Sequence, residues 1–336
     1  MKITISIIVA TIFFSISIAG CSFGESSESP NMRTDKVIIG TQTLIGPEMI
    51  ARVNGWLQED LGDEIEIVFF DAGRDVVNAM ASKSINIGYC GSVPASLAVA
   101  NGINCSIVYI QSVLGTTEAL VVRNNLGITD AKGLVGRTIA TTFTSTAHYS
   151  LLKYLEVNGV SPSDVDIIDM RAGEIVAAYT RGDIDGAFTW DPHVSTMITE
   201  DGHMITNAGE VAKLGYATMD VNIVDRDFAE RNPDIVKAYI QCMDRAITLF
   251  NENPQSAINA WATDTGLTYE ECFAQSKGIT FLPLEIQMNA EWFGSSALAD
   301  KLYDTGLFLF NQGVVSSEPS YDLFYQAVTG QFLESN

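Results

Sequence analysis

Short apolar runs alternate with amphipathic ones along most of this chain, and that alternation limits its fold more than any other feature. Residues 36–41 read as a strand and 47–61 as the helix after it. Residues 64–70 give a second strand closed by Asp71-Ala72-Gly73, 76–82 a short helix, and 85–90 a third strand. Gly91-Ser92-Val93-Pro94 opens a helix through Ala100, and 106–111 returns as a strand. The same grammar restarts mid-chain, with strands at 138–141, 165–169 and 186–189 and helices at 149–158 and 174–181. Strands alternating with helices build βαβ units and largely parallel sheets. The chain therefore reads as α/β, with two such bodies.

Between them runs Glu118-Ala119-Leu120-Val121-Val122-Arg123, and Thr218-Met219-Asp220-Val221-Asn222-Ile223-Val224 follows the second. Both are extended segments that cross from one body to the other. Residues 233–251 and 254–263 read as helices, and Thr268 with Glu271 makes a capping box for the next. The helical tail is expected to pack back on the first body. The boundaries predicted are 36–122 with 225–336 for one lobe and 123–224 for the other. Two lobes joined by two crossing strands leave a cleft, the usual setting for hinge closure on a small ligand.

One turn concentrates polar chemistry. Thr141, Thr142, Thr144, Ser145 and Thr146 place five hydroxyls in six residues between a strand's carboxyl end and a helix's amino end. Open α/β sheets bind ligands there, and unpaired N–H groups attract anions. The alternative is N-capping, for which one hydroxyl suffices.

Met1, Lys2 and the apolar run 3–18 have the pattern of a secretory signal, too short for a comfortable membrane span. It ends in Ile18-Ala19-Gly20-Cys21, which resembles the lipobox of bacterial lipoproteins and implies lipidation at Cys21. Residues 1–20 are thus predicted to be a signal peptide. Residues 21–35, containing Gly-Glu-Ser-Ser-Glu-Ser-Pro, are predicted to be a lipidated terminus and flexible tether. Roughly 300 residues remain, enough for two moderate domains. A net charge of −22 without basic clusters argues against nucleic acid as a partner. Cys90, Cys105, Cys242 and Cys272 match no metal-site spacing and read as buried free thiols; no metal or cofactor is expected.

Several separated stretches carry a resemblance. They are Gly91-Ser92-Val93-Pro94, Leu114-Gly115-Thr116-Thr117-Glu118-Ala119-Leu120-Val121-Val122, Ser145-Thr146-Ala147-His148-Tyr149-Ser150-Leu151-Leu152 and Arg181-Gly182-Asp183-Ile184-Asp185-Gly186-Ala187. Trp190 with Pro192, and Met219-Asp220-Val221, continue the series. Together they resemble the substrate-binding proteins of taurine ABC transporters, from about Val37 to the end. The related alkanesulfonate, nitrate and thiamine-precursor binders match these stretches less well. The resemblance implies a two-lobed periplasmic-binding-protein type II fold, each lobe a mostly parallel sheet flanked by helices, with two crossover strands as hinge. It implies an extracytoplasmic, lipid-anchored monomer that captures taurine or a close aminosulfonate and delivers it to a membrane permease.

A sulfonate stays ionised at any biological pH, and helix-end N–H groups with hydroxyls can satisfy it. Ser92, Ser145, Thr146 and Ala147 are the candidates, each hydroxyl being either a ligand donor or only a cap. The ammonium end calls for a carboxylate, because a buried unpaired cation is costly. Asp220, inside an apolar crossing segment, is the candidate that the resemblance also selects; the alternative is a structural bond to the hinge backbone. Glu118 stands at the other crossing and either assists or forms a hinge salt bridge. Trp190 either covers the ligand's two-carbon spine or caps the second lobe. His148 either donates to the sulfonate or caps its helix, and Gln42 is a polar contact at the cleft mouth.

Three features depart from the family pattern: the apolar turn Thr43-Leu44-Ile45-Gly46-Pro47-Glu48, Arg74 at a helix start, and Asp191 between Trp190 and Pro192. The two charges either pair with each other, lie on the surface, or reshape specificity. An enzyme is not expected. Residues 36–336 contain no Gly-x-Ser-x-Gly, Cys-x-x-Cys or His-Glu-x-x-His. Asp191, His193 and Ser195 are spaced too closely to align as a triad. The remaining alternatives are a sulfonate binder without an amine requirement, which would leave Asp220 unmatched, and a betaine binder, which would need several aromatic rings around the cation.

Overall fold

The computed structural model describes residues 36–62 and 64–333. The signal, lipidation and tether expectations for 1–35, Cys21 included, lie outside the described residues. The first half runs β1 (Val37–Thr41), α1 (Pro47–Val53), α2 (Trp56–Leu61), β2 (Ile65–Phe69), α3 (Gly73–Ala81), β3 (Ile87–Gly91), α4 (Ser92–Ala100) and β4 (Cys105–Leu114). The middle runs β5 (Glu118–Arg123), β6 (Thr138–Thr141), α5 (Thr146–Val157), β7 (Asp166–Asp169), α6 (Ala172–Arg181), β8 (Gly186–Trp190), α7 (His193–Asp201), β9 (Gly202–Asn207) and α8 (Ala208–Lys213). The chain then returns through β10 (Met219–Asp225), α9 (Arg226–Arg231), α10 (Pro233–Glu252), α11 (Pro254–Thr265), α12 (Tyr269–Ser276) and β11 (Ile279–Thr280). It ends in α13 (Leu284–Gln287), α14 (Ala297–Asn311) and α15 (Tyr321–Ala327).

Two mixed sheets organise these elements. The first has the order β11-β4-β10-β3-β1-β2 and the second β7-β6-β8-β5-β9. In the first, β1 is parallel to β2 and β3, while β10 lies antiparallel between β3 and β4. In the second, β6 is parallel to β7 and β8, while β5 lies antiparallel between β8 and β9. Each sheet thus receives one reversed inner strand from the chain arriving from the other lobe.

This pairing moves the lobe boundaries from those read in the sequence. Residues 118–122 were expected in the first lobe and 218–224 in the second; β5 belongs to the second sheet and β10 to the first. An extended segment that has left one sheet finds its ladder partners in the next, and the sequence does not show which sheet that is. The seams fall at 115–117 and 214–218.

Other differences are local. The helix read over 47–61 is broken at Asn54-Gly55, where Gly55 adopts φ 74°, a left-handed conformation that only glycine adopts without cost. Helix α5 begins at Thr146, three residues before the reading. The β9–α8 pair over 202–213 had no reading. The Thr268–Glu271 capping box forms as read. Cys90, Cys105, Cys242 and Cys272 are buried and unpaired. Helices α14 and α15 pack on α4, bringing the tail back to the first lobe. Among the described residues no helix is long and apolar enough to cross a membrane.

One long-range anchor fixes the turn before α1. Trp261 of α11 is fully buried against Phe250 and Phe281, and its indole N–H donates to the Gly46 carbonyl at 2.9 Å. Trp261→Ala should lower unfolding free energy by about 3–5 kcal/mol, the cost of emptying a large aromatic site, as read by urea denaturation.

Candidate functional site in the cleft between the sheets

The first residue of β5 and the second of β10 are both acidic, and both are buried. Glu118 is 2% exposed and Asp220 7%. Glu118 pairs in register with Trp190, and Asp220 sits between Gly91 and Ser112. The two acids therefore come one from each sheet, at the seam where the chain crosses. Glu118 accepts from the Thr146 hydroxyl at 2.5 Å and the Ser150 hydroxyl at 3.5 Å. Asp220 accepts from the Ser112 hydroxyl at 3.0 Å and the Tyr89 hydroxyl at 3.4 Å. Neither carboxylate meets a Lys, Arg or His among the described residues. The salt bridge open to Glu118 and the backbone bond open to Asp220 are not what the structure shows.

Burial pushes the Glu118 carboxyl up to about 8, with the neighbouring Asp220 charge adding to the rise and the Thr146 and Ser150 hydroxyls opposing it. Burial likewise pushes Asp220 up to about 6, against the pull of its two hydroxyl donors. Two desolvated acids facing one cavity without a cation form a site that a bound cation would relieve.

The hydroxyl-rich turn meets this pair from the second lobe. The Ser145 hydroxyl accepts from the His148 N–H at 3.1 Å and donates to the Thr142 carbonyl at 2.6 Å, so it is the N-cap of α5. Thr142 donates to the Met170 carbonyl, Thr144 to the Phe143 carbonyl, and Thr146 to Glu118. Four of the five hydroxyls are thus engaged within the protein, and Thr141 Oγ1 is buried without a partner. What the turn leaves open is backbone: the Thr146 and Ala147 N–H groups, at the first two positions of α5, have no protein acceptor among the described residues. Such groups carry the helix's partial positive charge.

His148 holds this turn. Its Nδ1 accepts from the Thr144 N–H at 3.3 Å, where Thr144 has φ 64°, and its ring stacks on Phe143 at 4.5 Å. Burial pushes it down to about 4, so the imidazole is neutral at physiological pH. It does not line the cavity. Ser92 is also turned away, its hydroxyl accepting from the Met219 N–H at 3.3 Å. In its place Gly91 and Pro94 face the cavity. A Cβ on Gly91 would stand 2.8 Å from the Thr146 methyl, so the two lobes meet here at a distance only glycine permits.

Gln42, Gly91, Glu118, Ser145, Thr146, Trp190 and Asp220 surround one half-enclosed cavity of about 60 Å³, counted as space open to the centre of a water molecule. One water needs about 10–15 Å³ on that measure, so the space suits a molecule of a few heavy atoms. Trp190 and Gln42 also line a wider vestibule of about 460 Å³. Trp190 packs on the second-lobe core as well, as the capping alternative expects, and its other side lines the cavity. Gln42 donates to the Tyr89 carbonyl at 3.2 Å. Sequence reasoning missed Ser112, Tyr89 and Ser150, which hold the two acids, and Gln275 and Ile279, which close the wall from α12 and β11. Only strand and helix pairing brings these residues in, so no local signal marks them. Arg74 and Asp191 do not pair with each other: Arg74 meets Asp169 at 3.0 Å, and Asp191 accepts from the Ser195 N–H and hydroxyl. No group of three or more His, Cys, Asp or Glu that could hold a metal occurs among the described residues.

Two α/β lobes, joined by crossing segments and enclosing a small polar cavity, are the architecture of the periplasmic-binding-protein fold. The chain belongs to the NMT1/THI5-like family, whose family model matches residues 42–257. It is 33% identical over 304 residues to the taurine-binding periplasmic protein of Escherichia coli (strain K12), covering 89% of this chain and 92% of that one. It is 27% identical over 265 residues to a putative aliphatic sulfonates-binding protein of Bacillus subtilis (strain 168), 78% of each chain. The crystal structure of the periplasmic aliphatic sulphonate binding protein SsuA from Escherichia coli superposes with a TM-score of 0.73 at 20% identity, over 88% of this chain and 98% of that one.

The raised acids make a pH prediction for the ligand-free protein. Both carboxyls hold their proton more tightly folded than unfolded, so their contribution favours folding at low pH and is lost as pH rises through about 6 and about 8. The melting temperature should fall across that window by scanning calorimetry. Glu118→Gln, which keeps the shape and cannot ionise, should flatten the upper part of the fall.

Proposed function

We propose that this protein is the extracytoplasmic substrate-binding component of an ABC importer and that it captures taurine or a close aminosulfonate. The observation that carries the reading is the pairing of opposite needs in one small cavity. Glu118 and Asp220 meet no cation among the described residues, and the N–H of Thr146, which lines the same cavity, and of Ala147 next to it have no acceptor. A short zwitterion with a fixed anion at one end and an ammonium at the other satisfies both. The ligand's sulfonate would lie at the start of α5, its ammonium between the two acids, and its carbon spine against Trp190. The 33% identity to a taurine-binding protein supports the same ligand. Delivery to a membrane permease, a monomeric state and a lipid anchor at Cys21 belong to this reading.

Catalysis is not part of it. Asp191 accepts from the Ser195 hydroxyl at 2.6 Å and from the Ser195 N–H, and among the described residues no bond joins His193 to either, so the three do not align as a triad. A binder indifferent to the amine would leave two buried acids uncompensated, and a betaine binder would need an aromatic cage where carboxylates stand.

Isothermal titration with taurine, ethanesulfonate and glycine betaine tests the ligand. Taurine should bind far more tightly than the other two, and Asp220→Ala should weaken it by about 2–5 kcal/mol, as for loss of a buried charge partner. Equal affinity for ethanesulfonate would overturn the aminosulfonate assignment. For the anchor, Cys21→Ala should abolish incorporation of labelled fatty acid and release the protein from the membrane fraction. Unchanged labelling would contradict lipidation at that residue.

A further inference from the structure

Ion pairs cross the mouth of the cleft in a reciprocal pattern that the binding site itself does not require. From the first lobe, Asp71 in the β2–α3 loop and Arg74 and Asp75 in the first turn of α3 face the second lobe. From the second lobe come Asp169 at the end of β7 and Arg171 just before α6. Arg74 reaches Asp169 at 3.0 Å, while Arg171 reaches Asp71 at 2.8 Å and Asp75 at 3.3 Å. Each lobe offers arginine and aspartate from the same place in its topology, the connection from its second parallel strand to the next helix, and the charges cross over. Every one of these pairs joins the two sheets, so all must break when the lobes part.

The clasp is tied to the ligand end of the cleft on both sides. Asp169 also accepts from the Phe143 N–H at 2.8 Å, so the residue that Arg74 grips holds the turn leading into Thr146 and Ala147. Gly73, beside Arg74, lines the ligand cavity and packs so closely on Pro94 that a Cβ would stand 2.6 Å from its ring. Arg171 and Asp71 line the wider vestibule that shares Gln42 and Trp190 with the cavity. Isolated surface pairs contribute little, but a set made only in the closed form biases closure directly.

We propose that Arg74–Asp169 and Arg171–Asp71/Asp75 form a cross-cleft clasp that sets how long a captured ligand stays, without touching the ligand. The residence-time part rests on the small-ligand reading above. Pairs that act only in the closed state should alter dissociation more than association, and their exposure makes the effect sensitive to salt.

The test measures ligand release by stopped-flow tryptophan fluorescence for wild type, Arg74→Gln, Arg171→Gln and the double variant, with taurine as probe. Small-angle scattering of the same proteins without ligand reads opening independently. Each single change should speed release about 2–5-fold and the double change about 4–25-fold at low ionic strength. Association rates should hold, and the differences should shrink in high salt. Arg171→Asp combined with Asp71→Arg, which restores the pair with its charges exchanged, should recover part of the loss. The ligand-free double variant should have a larger radius of gyration than wild type. Taurine release and radius both unchanged would overturn the clasp while leaving the binding function intact. A larger radius in a protein that takes up no taurine would support the clasp and sink the ligand assignment.

Discussion

The structure depends on two buried acids that meet no Lys, Arg or His among the described residues. Glu118 and Asp220 stand where the chain crosses between sheets, each near the start of the reversed strand that its sheet receives from the other lobe. Placing them there desolvates both, and hydroxyls from Thr146, Ser150, Ser112 and Tyr89 offset only part of the cost. Because one acid belongs to each lobe, a cation between them bonds to both halves at once. An anion at the start of α5 adds a further link, since Thr146 abuts Gly91 across the seam. In the proposed reading, recognition and closure share the same atoms.

Away from the cleft, α5 packs on the first lobe through an apolar contact. Tyr149 packs edge-on against Phe308 of α14 at 4.9 Å, and Lys153 lies 5.1 Å over the same ring. Tyr149 and Leu152 join the buried cluster of the first lobe. An apolar contact of this kind tolerates small rotations, whereas the polar bonds at the cleft mouth do not. In the proposed reading, the helix whose first N–H groups would meet the ligand therefore rests on an apolar contact, with the charged pairs at the cleft mouth.

Much of this was legible in the sequence because strand and helix periodicities are local. The βαβ grammar placed most of the elements, and an aspartate inside the apolar segment Met219-Asp220-Val221 is conspicuous wherever that strand ends up. The crowd of hydroxyls before α5 was legible as a turn but not in its chemistry. Side chains in such a turn bond the nearby backbone and Glu118 first, leaving the first N–H groups of α5 without a protein acceptor among the described residues. Ser92 and His148 show the same limit, for each lies within a few residues of the cavity and is turned away by a partner distant in sequence or by a turn conformation. Which sheet claims β5 and β10 depends on ladder partners more than sixty residues away for β5 and more than a hundred away for β10, as with Asp220 and Ser112, so the lobe boundaries could not be read locally.

The most direct measurement is a crystal structure of residues 22–336 with taurine bound. The ammonium nitrogen should lie within hydrogen-bonding distance, about 2.7–3.2 Å, of carboxylate oxygens from both Glu118 and Asp220, with sulfonate oxygens at the Thr146 and Ala147 N–H groups. A sulfonate turned toward the acids, or a ligand outside this cavity, would contradict the central claim that one acid from each lobe holds the ligand's cationic end.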